Sequence, residues 1–215
     1  MDFTTYTKSD TFSTVCTHLN NNHNFGSILL VRYSKTAPFF ATLFTDISNV
    51  TRITYINERN PDNKGILHAE LLNTLTEFNT KWNLICMDPF HEYTESMEDL
   101  TMLTSFLTED GLLICHDCYP PNKNLVASNY KPGSWCGVTY GAFIEFAYNN
   151  PNWFYTVLNT DYGLGIISKV YRHGLEQNLN RHVQQEFISL FKNNTNSAYL
   201  YFRKHSKDLI NVRLL

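Results

Sequence analysis

Two apolar runs in this chain each deliver an acid and an imidazole at their carboxyl ends. Leu84-Ile-Cys-Met runs into Asp88, with His91 three residues on, and Gly111-Leu-Leu-Ile-Cys runs into His116 and Asp117. Buried strands that present general acids, general bases or metal ligands have this form. In open α/β sheets the carboxyl edge of the strands is where ligands bind. The plainer use of the same carboxylates is to cap the helix or loop that follows each strand.

The surrounding pattern supplies the elements that would hold these groups. Residues 11–19 read as a short helix after a polar, Asn- and Thr-rich start. Residues 27–33 are a continuous apolar run, as expected of a parallel strand buried on both faces. A helix is expected over 36–44, with Pro38 in its first turn. A second strand follows over 52–57, a loop over 58–65 and a helical stripe over 68–78, built on Leu71, Leu72, Leu75 and Phe78. Residues 82–87 read as the next strand, 94–107 as a helix carrying Met97, Leu100, Leu103 and Leu107, 108–111 as a turn and 111–115 as a strand. This strand–helix alternation suits βαβ crossovers, so the expected fold is α/β, with a doubly wound, mostly parallel sheet and helices on both faces. Past Pro120-Pro121, a long loop leads to a helix over 138–148. A C-terminal antiparallel hairpin is expected, with arms at 153–160 and 163–169 around Asp161-Tyr162-Gly163. The tail from 175 to 215 reads as amphipathic helix. The expected division is a main α/β domain over 1–170 and a helical extension over 171–215, packed on the same domain or on a partner; its apolar patches suit a homodimer.

Composition narrows the class. At 215 residues with 43% apolar residues, 15 Phe and 13 Tyr, the chain can bury a sizeable core. The net charge is −3 and no Lys/Arg run appears, so no nucleic-acid footprint is expected. No apolar run reaches membrane-spanning length, and the N-terminus lacks the basic-then-apolar order of a signal peptide, so a cytoplasmic location without a membrane span is expected. The five cysteines are an odd number, which argues for free thiols. Cys115-His-Asp-Cys118 has the C-x-x-C form of a redox or zinc motif, but it follows a strand rather than opening a helix, and structural thiols are the expected use.

One family gathers these pieces. Asp88-x-x-His91-x-Tyr93, a helix with Asp99-Leu100, then Gly111 leading a strand into His116-Asp117-x-x-Pro120-Pro121, Trp135 and Gly137, and Asp161-Tyr162-Gly163-x-Gly165 stand in this order. The chain thereby resembles class I S-adenosylmethionine-dependent methyltransferases. Within them it looks most like the small macrocin-type sugar O-methyltransferases of polysaccharide and natural-product clusters, chiefly over residues 82–170.

The resemblance implies a Rossmann-like methyltransferase fold and S-adenosylmethionine as cofactor, with a sugar hydroxyl of a glycan or glycosylated metabolite as acceptor. It implies a divalent metal at Asp88, His116 and Asp117, where His116 stands for a carboxylate of the family. An imidazole there shifts preference toward softer ions than magnesium. A bound ion would lower the pKa of a sugar hydroxyl, with Asp88 and His91 as catalytic groups and His91 as general base. The family's cofactor loop reads Glu-x-Gly-x-x-x-Gly; here Leu30 and Ser34 fill both glycine positions, while Arg32, Tyr33 and Thr36 keep its character. The ribose acid expected after the second strand falls at Glu58, one place late, or is replaced by Asn57. The cofactor-binding set so implied is Arg32, Tyr33, Ser34, Thr36, Asn57 and Glu58. The missing glycines leave a rival reading: a methyltransferase fold without cofactor binding, serving as a binding or scaffolding subunit or using the Asp/His cluster for other chemistry. Arg32 reads as a partner for a carboxylate near the cleft or as half of a surface ion pair. Trp135, Tyr130 and Tyr140, with Asn122 and Asn124 nearby, read as a stacking surface for a sugar or base, or as anchors of the loop. Asp161-Tyr162-Gly163 reads as a structural turn, and Glu145 as a residue facing solvent.

Overall fold

The computed structural model describes residues 1–33, 43–45, 47–56, 66–131 and 133–213. The four strands expected in the first half of the chain become β1 (Ile28–Tyr33), β2 (Val50–Ile56), β4 (Trp82–Asp88) and β5 (Leu107–Cys115), and a two-residue strand the sequence did not signal, β3 (Ile66–Leu67), joins them. These pair in parallel in the order β3-β2-β1-β4-β5. The hairpin strands β6 (Phe154–Leu158) and β7 (Leu164–Ser168) are antiparallel to each other, and β7 inserts antiparallel against β5. A short strand, β8 (Val212–Arg213), adds parallel to β6, giving a mixed sheet of eight strands among the described residues.

Alternate strand residues go to opposite faces, and both faces are apolar. Leu29, Val31, Met87, Leu113 and Cys115 point into one core; Ile28, Leu30, Leu84, Cys86, Leu112 and Ile114 point into the other. Each such side chain contributes about 1.5–3 kcal/mol on full burial, which outweighs local propensity along these strands. The first face is covered by α2 (Leu71–Glu77), which follows a single 3₁₀ turn at His68–Glu70, and by α3 (Tyr93–Ser105), α4 (Thr139–Asn149), α5 (Arg181–Asn193) and α6 (Thr195–Ile210). The second is covered by α1 (Phe12–His23), with Phe3, Tyr6, Leu43 and Phe44. Thr11 and Thr14 cap α1 reciprocally, the Thr11 hydroxyl accepting from the Thr14 N–H at 3.2 Å and the Thr14 hydroxyl from the Thr11 N–H at 2.6 Å. The architecture is thus a doubly wound, mostly parallel α/β sheet with helices on both faces and a C-terminal antiparallel hairpin, as the sequence predicts. Among the described residues no helix is long and apolar enough to cross a membrane.

Two local expectations are corrected. Residues 108–111 are not a turn between elements but belong to β5. Trp82 pairs with Leu107 and Leu84 with Leu112, so the polar residues between them form the outswing of a bulge. Gly111 sits there, where a Cβ would come 3.1 Å from the Trp82 carbonyl oxygen. The tail is not wholly helical: it ends in β8, whose two residues are too few to show a period. The tail's Phe187, Phe202, Leu209 and Ile210 are fully buried in the same core as β1 and β4. Most of the helix expected over 36–44 lies outside the described residues, and Leu43–Thr45 form a turn.

Candidate functional site

Parallel pairing of β4 with β5, Met87 beside Cys115, brings the two polar strand ends to one edge. The His116 N–H extends the ladder by donating to the Met87 carbonyl at 3.0 Å. One carboxylate oxygen each of Asp88 and Asp117 and a His116 ring nitrogen then lie within 4.8 Å of one another, all three residues buried. His91 Nε2 stands 3.0 Å from Asp88 Oδ1 and 3.0 Å from Asp117 Oδ2. His116 Nδ1 stands 3.3 Å from the first of these oxygens and 3.4 Å from the second. Two carboxylates and two imidazoles therefore share one small space. The four residues singled out by type and spacing in the sequence are together.

The backbone is bent to achieve this. His91 and Asp117 both adopt left-handed conformations, φ 65° and 61°. Such positions are sparsely populated by non-glycine residues and cluster at functional sites. Two glycines let neighbouring backbone press onto them. Gly137, at φ 57°, lies so close that a Cβ would stand 2.1 Å from the His91 carbonyl oxygen, which accepts from the Val138 N–H at 2.8 Å. Gly163, at φ 96°, has the Tyr119 nitrogen 2.0 Å from where its Cβ would be, and its carbonyl accepts from the Cys118 N–H at 2.9 Å.

Electrostatics follow from that crowding. Burial alone would raise the Asp88 carboxyl, but the hydrogen bonds from His116 and His91 outweigh it and hold it well below the usual range. Burial alone would discharge the imidazoles. For His91 the carboxylates of Asp117 and Asp88 more than reverse this, and for His116 those of Asp117, Asp161 and Asp88 push the value well above 6.5. Without a metal, the imidazoliums are the countercharges of the cluster. A divalent cation is the other species these oxygens accept. The donor set of two carboxylates and an imidazole nitrogen on one point fits such an ion, softer than magnesium by virtue of the imidazole. One buried polar atom fits a ligand as well: His91 Nδ1, on the side of the ring away from the carboxylates, has no hydrogen-bond partner among the described residues.

Asp161 is a member of this neighbourhood that sequence reasoning missed. It was expected only to make the hairpin turn, and its φ of 43° does so. Its Oδ1, however, lies 3.7 Å from His116 Nε2. The only signal in the sequence is an acid where a turn could equally take Asn.

The cofactor half is built differently. Ser34, Thr36, Asn57 and Glu58 lie outside the described residues. Arg32 Nε–H donates to the Thr54 hydroxyl at 3.3 Å, on β2 beside it. Tyr33 is buried, its ring 4.5 Å from Phe90 and 5.9 Å from Tyr55. Leu30, at the first glycine position, is an ordinary core residue. The Tyr55 hydroxyl donates to Asp99 Oδ2 at 2.7 Å and accepts from the Phe90 N–H at 2.9 Å, while His68 Nε2 meets Asp99 Oδ1 at 2.8 Å. That contact outweighs partial burial and raises the His68 value.

The aromatic loop is anchored inward. The Trp135 indole donates to the Ala127 carbonyl at 3.0 Å and packs edge-on to His91 at 5.4 Å, while half-exposed Tyr130 stacks on Phe90 at 6.2 Å. Tyr140 is fully buried against Phe202 and does not reach the loop surface. Glu145 does not simply face solvent: it accepts from the Tyr93 hydroxyl and pairs with Lys192 at 3.3 Å. All five cysteines are free and buried, and the Cys118 thiol points at the Cys115 and His116 carbonyls.

No family model and no curated protein matches the chain. Solved structures do. A provisionally assigned caffeoyl-CoA O-methyltransferase from Staphylococcus aureus matches with 18% identity and a TM-score of 0.49, over 72% of this chain and 81% of that one. The MycE methyltransferase of the mycinamycin biosynthetic pathway, in complex with Mg, SAH and mycinamycin VI, matches with 11% identity and a TM-score of 0.43. That match covers 73% of this chain and 48% of MycE, so the chain spans about half of that protein's length. At these identities and scores, neither likeness bears on what this chain acts on.

Proposed function

We propose that the chain is an S-adenosylmethionine-dependent O-methyltransferase acting, with a divalent metal, on a sugar hydroxyl of a glycan or glycosylated metabolite. The observation that carries this reading is the buried Asp88–His91–His116–Asp117 cluster at the carboxyl ends of β4 and β5. It adjoins the β1–β4 boundary, where the strand order reverses and open α/β sheets bind ligands. Of the motif residues that carry the family resemblance, Asp88, His91, His116, Asp117 and Asp161 lie together at this edge.

Asp88, His116 and Asp117 would hold the metal, which supplies Lewis acidity to a hydroxyl. The cofactor supplies a methyl group on a sulfonium leaving group. The chain's own residues position and deprotonate. His91, with its Nε2–H between Asp88 and Asp117, keeps Nδ1 as the proton acceptor, an atom without a hydrogen-bond partner among the described residues. With those carboxylates neutralised by a cation, His91 loses the field that keeps it protonated. The Val138 N–H and Gly137 fix the His91 backbone, and Trp135 covers one side of its ring. In-line methyl transfer asks little more than this alignment.

One observation favours the second reading, a methyltransferase fold that no longer binds the cofactor. Leu30, at the first glycine position, is a buried core residue of β1, where the family needs backbone open to close approach. Calorimetric titration with S-adenosylhomocysteine, with and without Mn²⁺, separates the two. The enzyme reading expects saturable binding. No heat under any metal condition would make the cofactor-free reading the right one.

A further inference from the structure

We propose that Asp161 is the positioning residue that holds His116 in the orientation and tautomer of a metal ligand; this rests on the metal reading above. The His116 ring presents Nδ1 to Asp88 and Asp117, at 3.3 and 3.4 Å, and Nε2 to Asp161 Oδ1, at 3.7 Å. An imidazole that ligates through one nitrogen carries its proton on the other. A carboxylate on that side fixes the tautomer, turns the ring and makes the ligating nitrogen more basic. Asp161 occupies that side.

Asp161 is itself held from two directions. Its Oδ2 accepts from the Phe12 N–H at 2.6 Å, the first residue of α1, where a carboxylate also meets the positive end of the helix. The next residue, Tyr162, has φ 61°, and its carbonyl accepts from the Tyr119 N–H at 2.8 Å, which ties the hairpin turn to the loop after β5. Phe12 and Tyr162 both stand edge-on to the His116 ring, at 5.5 and 6.2 Å. The turn explains the backbone of Asp161. It does not explain a carboxylate with one oxygen on α1 and the other toward His116. In this arrangement α1 and the β6–β7 turn act on the metal site through one side chain without touching the metal.

The test is a Mn²⁺ titration of the full, metal-stripped chain, followed by the paramagnetic signal of free Mn²⁺, with melting temperature measured in chelator. Asp161→Asn keeps an oxygen for the Phe12 N–H and tolerates the left-handed backbone, but removes the charge facing His116. The expected result is Mn²⁺ affinity about 10–100-fold weaker, with the melting transition still cooperative. Asp161→Glu, which keeps the charge, recovers part of the affinity. If Asp161→Asn binds Mn²⁺ as tightly as the natural chain while Asp88→Ala binds none, the assignment of Asp161 is overturned and the metal reading stands. A natural chain that takes up no Mn²⁺ overturns the metal reading and this assignment with it.

Discussion

The carboxyl edge of this sheet has two halves that solve opposite problems. At β4 and β5, Asp88 and Asp117 share two imidazoles, and the charges are buried together, with His91 Nδ1 lacking a hydrogen-bond partner among the described residues. Beside β1 and β2, the buried carboxylate of Asp99 on α3 is matched by Tyr55 and His68 beneath a layer of Tyr33 and Phe90. The second arrangement is closed: each Asp99 oxygen has a short partner, and the Tyr55 hydroxyl both donates and accepts. The first is open, held in balance by protonated imidazoles that a metal can replace. Buried groups with a matched partner stabilise a fold, whereas a surplus of ligating atoms in left-handed backbone is the mark of a site.

The sharpest way to break that contrast is Asp88→Ala. It removes the shared acceptor of His91 and His116, leaves buried positive charge poorly compensated, and should cost about 3–5 kcal/mol in chelator, read by urea unfolding. Mn²⁺ uptake should vanish with it. A variant that is more stable than the natural chain in chelator would mean that the cluster is repulsive rather than imidazolium-bridged.

Gly137→Ala attacks the same half through the backbone. A Cβ has no room beside the His91 carbonyl, and φ 57° disfavours it further. A loss of about 3 kcal/mol is expected, together with a changed His91 ring signal in NMR; an unshifted signal would show that the loop yields without moving His91.

Tyr55→Phe probes the other half. It strands Asp99 Oδ2 and the Phe90 N–H, and about 1–3 kcal/mol should be lost. Mn²⁺ affinity should stay where it was. If it falls as far as stability does, the two halves are one coupled network and the contrast fails.

The smallest effect is in pH. The folded-state value of His116 is raised, so its contribution is complete below its ordinary 6.5 and is lost as pH rises through the raised value. Asp88 is depressed, so its contribution is present above the ordinary 3.8 and lost on acidification toward the lowered value. The metal-free chain should therefore melt highest between these limits and lose a few degrees in alkali, at about 2–4 °C per kcal/mol. Mn²⁺ affinity should rise over the same alkaline range, because the ligating imidazole must shed its proton. A melting temperature that is flat on the alkaline side would remove the imidazoliums from the account.

β1, β4 and the second half of β5 were legible because they are buried on both faces, so runs such as Ser27–Tyr33 and Gly111–Cys115 read as unbroken apolar stretches. Asp88, His91, His116 and Asp117 were legible as a set because each lies at or just past the end of such a run, and parallel neighbours align their ends. What escaped was non-local or too short. Asp161 reaches His116 from a turn some forty-five residues later in the chain, and no spacing rule links the two. Residues 108–111 carry a turn signal because a bulge needs the same polar and glycine residues as a turn. Glu145 looked solvent-facing on α4, yet its partners come from α3 and α5.

The most direct measurement is anomalous diffraction from crystals grown with Mn²⁺. The account predicts one strong peak among Asp88, Asp117 and His116, with His91 Nε2 still turned to the two carboxylates and its Nδ1 left open as the base. A cluster without a peak, His116 still spanning Asp88 and Asp117 at saturating Mn²⁺, would contradict it.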